Sequence, residues 1–137
     1  MGWEAFSYLR PMGESLNLKF DGQILEQLLA QQITFVNFLD EVFKGNEGNN
    51  YLQMCAALKA YHHQNGGAPE VLEFAITEPK FNPATLSGSF NCKFKVSFFF
   101  GCDDLHIDKN DTINWQFKID DNKHVIHLNG EEPWATE

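Results

Sequence analysis

Between residues 102 and 111 the chain reads Cys-Asp-Asp-Leu-His-Ile-Asp-Lys-Asn-Asp. This concentrates thiol, imidazole and carboxylate side chains that can bind cations or move protons. Cys102 and His106 are separated by three residues, and after seventeen more come His124 and His127, separated by two. The order superficially matches a zinc ligand set, which needs thiolate and imidazole groups converging on a tetrahedron. Strand geometry opposes the full set, because residues three apart on a strand point to opposite faces. The metal candidate that survives is Cys102, Asp104, His106 and His127, provided the last strand carries His127 back toward the 101–111 loop. Asp103, Asp104, Asp108 and Asp111 offer hard oxygens for calcium, but the central glycine and closing glutamate of a calcium loop are absent. Aspartates are also turn formers in their own right. The balance favours an acidic hairpin loop, and no cofactor is expected.

Catalysis has less support. There is no G-x-S-x-G turn, no phosphate-cradling glycine loop and no Cys–His pair in a familiar context. Gln32, His62 and Cys92 are the polar or nucleophilic side chains that the apolar patterns place inside, so they are the ligand-pocket candidates. Each has a plainer explanation: a hydrogen-bonded core amide, a satisfied histidine at a helix end, and an inert buried thiol. Aromatics on polar surfaces are the other signal, since such residues are enriched at interfaces. Phe99 breaks the polar face of its strand, while Trp3 and Trp134 lie near the two ends of the sequence. Either tryptophan may equally be read as stapling a terminus onto the sheet.

The elements that must position these groups follow from periodicity. Leu16, Leu18 and Phe20 alternate with polar residues, as in a short half-buried strand. From Gly22 to Lys44 the apolar residues cover roughly 220° of a helical wheel, more than a surface helix needs. One long helix buried on two sides is expected there, capped by Asp21 and Gly45. After the turn at 45–50 a second helix is expected over 51–64, completing a helical hairpin. The segments 71–77, 89–101, 112–119 and 124–128 alternate as strands, with a tight turn at 120–123. Residues 78–86 hold two prolines and read as a loop or irregular edge. Phe90, Cys92, Phe94, Val96, Phe98 and Phe100 should face inward, opposite Phe99. Helices followed by strands predict an α+β fold: a four- to five-stranded antiparallel meander with one face on an N-terminal helical hairpin. The layout resembles the cystatin-like and NTF2-like folds, through no shared motif.

A chain of 137 residues is expected to form a single domain. Its 10 Lys and Arg against 19 Asp and Glu give −9, and residues 103–137 carry nine of those acids with three bases. Phosphate backbones and anionic lipid surfaces need clustered cations, so neither nucleic acid nor membrane is an expected partner. The start, Met-Gly-Trp-Glu-Ala-Phe, lacks the basic and apolar regions of a signal peptide, and with three unframed cysteines the expectation is a soluble cytoplasmic protein. The leading expectation is a non-catalytic interaction module that contacts a protein partner or a second copy, as an adaptor, assembly component or inhibitor of a basic partner. The other is a small-molecule binder or enzyme with a Phe-lined cavity between helices and sheet.

Overall fold

The structure, a computed structural model, describes residues 13–63, 67–101 and 105–132. Trp3, Trp134, Cys102, Asp103 and Asp104 lie outside those residues. The fold is α+β. Strand β1 (Ser15–Lys19) leads into α1 (Gly22–Leu29), α2 (Phe35–Lys44) and α3 (Asn49–Ala60). Five further strands follow: β2 (Ala68–Glu70), β3 (Phe74–Asn82), β4 (Ser87–Phe100), β5 (Leu105–Asp120) and β6 (Val125–Gly130). All pairings are antiparallel, in the order β1-β6-β5-β4-β2, with β3 beside β2 along the same edge of β4.

The single long helix expected over 22–44 is two helices. Asp21 caps α1 by accepting from the Gln23 N–H at 3.0 Å. The helix ends at Ala30, and Gln31 takes a left-handed φ of 62°. Thr34 then restarts the chain, accepting from the Asn37 N–H at 3.1 Å and donating to the Asn37 side chain at 2.8 Å. A threonine with a polar residue three positions on makes a local cap that competes with the continuous apolar period. The break turns Gln32 out to solvent, whereas the uninterrupted wheel put it in the core. The hairpin of helices is thus a set of three.

Helix α3 also differs from its expected span, ending near Ala60 and capped at its start by Gly48, whose φ is 83°. Asn50, in the first turn of the helix, is 1 % exposed. Its amide donates to the Val42 carbonyl at the end of α2 and to the Lys19 carbonyl of β1, both at 2.8 Å. One side chain therefore joins two helices to a strand, adding a second donor to the Val42 carbonyl, which also accepts from the Gly45 N–H at 3.0 Å.

The helices pack one face of the sheet. Phe38, Leu39 and Val42 of α2 and Met54 and Leu58 of α3 meet Phe90, Cys92, Trp115, Phe117, Ile126 and Leu128 in one buried cluster. The ring of Phe35 stacks against both Phe81 at 5.0 Å and Phe117 at 4.9 Å, which are themselves 6.2 Å apart. As expected, Phe90, Cys92, Phe94, Val96 and Phe98 are buried, while Lys93, Lys95 and Phe99 are exposed. Of residues 78–86, expected as a loop or irregular edge, 78–82 are an irregular edge and 83–86 a turn: β3 shifts register between Thr77 and Lys80 around Pro79, and Glu78 has φ 49°.

The largest difference lies at 101–111. Most of that stretch is not loop: β5 begins at Leu105 and pairs with β4 without a register shift from Phe100–Leu105 to Ser87–Lys118. Turn-forming residues lost to the ladder because β4 supplies a hydrogen-bonding partner along its whole length. Strand β6 covers β5 only from Trp115 to Asp120. Among the described residues, nothing pairs with the same edge of β5 from Leu105 to Ile113. The β4–β5 ribbon thus has a covered end and an open end.

Candidate functional site

The open end of the ribbon gathers the polar and apolar groups that sequence reasoning singled out nearby. On the outer face, the Phe99 ring stacks on the His106 ring directly across the strands, with centroids 4.7 Å apart and planes 8° from parallel. His106 Nε2 donates to Asp108 Oδ1 at 2.7 Å, and the Ser97 hydroxyl donates to the same oxygen at 2.8 Å. Lys95 Nζ lies 3.7 Å from the other oxygen. The Ser97 hydrogen bond above all, followed by His106 and Lys95, holds the Asp108 carboxyl below the usual carboxylate range. His106 is thereby fixed between an aromatic face and a carboxylate. Phe99 remains 44 % exposed, and Ile107, on the opposite face, is equally open at 44 %.

A second cluster marks the boundary between the two ends. His62, 8 % exposed just beyond α3, donates from Nε2 to Asp111 Oδ2 at 2.7 Å. The edges of the Phe94 and Phe98 rings enclose it at 6.0 and 5.9 Å. Asp111 Oδ1 accepts from the Thr112 N–H at 2.7 Å. Both carboxylate oxygens are therefore occupied, and the arrangement ties the end of the helix layer to β5. An open groove of about 870 Å³ adjoins it, bordered by Tyr51, Phe74, Lys93, Lys95, Asn110 and Asp111. The groove forms where β3 leaves β4 at Phe94 and β2 joins at Ser97.

The three pocket candidates do not form a site. Gln32 borders a surface dip with Leu28, Thr34 and Phe81, which neither His62 nor Cys92 lines. Cys92 is fully buried between the strand positions of Ile76 and Ile113. Burial pushes the Cys92 thiol far up and the Cys55 thiol to about 11, so neither is a nucleophile near neutral pH. The phenylalanines expected to line a cavity are close-packed instead, with Phe90 fully buried and Phe98 3 % exposed.

The metal set is also divided. His106 pairs with Phe99, whereas His127 stands opposite Lys118, twelve positions along β5. At ~3.3 Å per residue that separation is roughly 40 Å, so one ion cannot bind both. The return of His127 toward the loop fails because β6 stops at Gly130, opposite Trp115. His127 instead hydrogen-bonds Asn17. His124 sits in the turn with φ 54° and packs on Phe20. Among the described residues no three His, Cys, Asp or Glu side chains are grouped to hold a metal ion.

The His62–Asp111 contact is the main feature the sequence reading passed over, although a signal for it exists. Counting back by two from Trp115 and Ile113 puts Asp111 on the inner face, where a carboxylate needs a donor. His62 was already assigned to the inner face of its helix. No family of known proteins, curated protein or solved structure matches the chain. No helix among the described residues is long and apolar enough to cross a membrane.

Proposed function

We propose that this chain is a non-catalytic cytoplasmic interaction module, which contacts a protein partner or another copy of itself through the open end of the β4–β5 ribbon. The observation that carries this reading is apolar exposure on both faces of one unsheltered ribbon: Phe99 outside and Ile107 inside, each 44 % exposed. An aromatic ring exposed on the polar face of a regular strand pair supports a contact surface, since aromatic residues are enriched at interfaces. The ordered row of Phe99, His106, Asp108 and Ser97 supports it, since a fixed ring loses little freedom on binding. Where the partner is a different protein, the net charge of −9 favours one with a basic surface around that apolar centre. Two buried free thiols, Cys55 and Cys92, fit a reducing compartment.

The test is capture from a native lysate on the immobilised full chain, compared with Phe99→Ser and Ile107→Ser. The expected result is a retained protein, or retained copies of the chain, lost with both variants while their unfolding midpoints stay unchanged. Capture insensitive to both substitutions would place the contact elsewhere and overturn the reading.

A further inference from the structure

Among the described residues, the edge of β5 that faces away from β4 has no strand neighbour from Leu105 to Ile113. Along a strand, successive residues direct their N–H and C=O groups to opposite edges. Ile119 N–H donates to Leu86 on the β4 side at 2.8 Å, and Asn114 C=O accepts from Glu131 N–H on the other side at 2.9 Å. Even-numbered residues therefore present their backbone groups to the unpaired edge. Edges are usually blunted by proline, a bulge, a covering element or charged side chains, and such charges admit only a neighbour that neutralises them. Strand β3 has Pro79 and a register shift. Strand β5 has neither between Leu105 and Ile113; it has only the alternating charges Asp108, Lys109 and Asp111.

Those charges select among partners. Two copies joined edge to edge by antiparallel β5 strands are related by a two-fold axis normal to the sheet, so same-face residues stand opposite each other. An axis at Asp108 would oppose two aspartates, one at Lys109 two lysines, and one at Asp111 two aspartates again. An axis at Asn110 places Asn110 on Asn110, Lys109 on Asp111 of the other copy twice over, Asp108 on Thr112 and Ile107 on Ile113. No like charges meet, and opposite charges face across the join.

We infer that β5 forms a symmetric strand-to-strand dimer with a second copy of this chain, centred on Asn110 and running from Ile107 to Ile113. This rests on the reading that the open end of the ribbon is the contact surface. The pairing ends at Ile113 because the backbone of Asn114 is already taken, its N–H by the Glu131 carboxylate and its C=O by the Glu131 amide. Within the join, the Thr112 amide, held in the single chain by Asp111 Oδ1, passes to the Asp108 carbonyl of the other copy. The freed oxygen of Asp111 then accepts from Lys109 of that copy. Lys109 is exposed and has no ion pair among the described residues.

Sedimentation of the full chain should show a concentration-dependent species of twice 15.7 kDa, lost in Asn110→Pro, which removes the donor at the axis. Site-specific bridging gives the register independently of that variant's stability. In a Cys102→Ser background, mild oxidation should yield a covalent dimer with Asn110→Cys. Neither Asp108→Cys nor Thr112→Cys alone should bridge, whereas the two together should. A monomer at every concentration overturns the inference, as does bridging at 108 or 112 alone. Phe99-dependent capture of a different protein by a monomeric chain also overturns it, but leaves the wider reading of the ribbon as a contact surface intact.

Discussion

The two ends of the β4–β5 ribbon share one ladder but have different surroundings. At the covered end, Phe90 and Phe117 are closed in by α2, by β3 and by the ring of Phe35. At the open end, residues 106–110 of β5 are all exposed, and among the described residues the strand has no second neighbour there. The ladder itself runs unbroken between them. Regular backbone pairing therefore does not report where the stability lies; side-chain burial and the second neighbour do. The joint between the regimes is the His62–Asp111 pair, where the helix layer stops.

Amide exchange should separate the two ends most sharply. At a dilution that keeps the chain monomeric, the N–H groups of Asp108 and Asn110 face an unpaired edge and should exchange with almost no protection. That of Lys118, between two neighbours, should open only with the whole fold, at about 5–15 kcal/mol. Equal protection at both positions would break the comparison. Truncation is the next largest effect. Phe117→Ala should cost about 3–5 kcal/mol in urea unfolding, whereas Ile107→Ala should stay within about 0.5 kcal/mol. Comparable losses would mean that the open end is part of the core after all.

Alkaline titration reads the covered groups alone. Burial raises Cys55 from 9.0 to about 11 and Tyr61 from 10.0 to about 12, and raises Cys92 still further. Each ionises more readily when unfolded, so its contribution is whole below the unfolded value and is lost as pH rises through the folded one. Urea midpoints should therefore hold level up to about pH 9 and then decline toward pH 12. Phe99→Ser should leave that profile unchanged, since the open end has no part in it.

Much of the fold was legible because strand alternation is strict. Phe90 through Phe98 and Ile113 through Ile119 face the side their period assigns, and the helix-then-strand order gives the class. What failed did so for local or long-range reasons. The cap at Thr34 is a two-residue affair that the wheel from Gly22 to Lys44 averages away. Strand β2 is three residues with a proline, made a strand only by Ser97–Phe99 beside it. Residues 105–111 carry turn chemistry, and only an unbroken β4 turns them into strand. Of the contact surface, Phe99 was visible as an aromatic on a polar face. Its partner His106 was not visible, because the residue chemistry of 102–111 reads as an acidic hairpin loop and only the ladder sets the two rings opposite each other.

Among the described residues, strand β1 has its only strand neighbour in β6, Ser15 opposite Asn129 and Lys19 opposite Val125. The hydroxyl of Tyr61 reinforces that seam, accepting from the Glu14 amide and donating to the Glu131 carbonyl at 2.6 Å. During synthesis β1 emerges early and its neighbour more than a hundred residues later, as the separation of Ser15 from Asn129 requires. Until then β1 is an unpaired strand beside helices that can already form. The nascent chain should thus remain protease-sensitive until β6 has left the ribosome, and then close in a single late step.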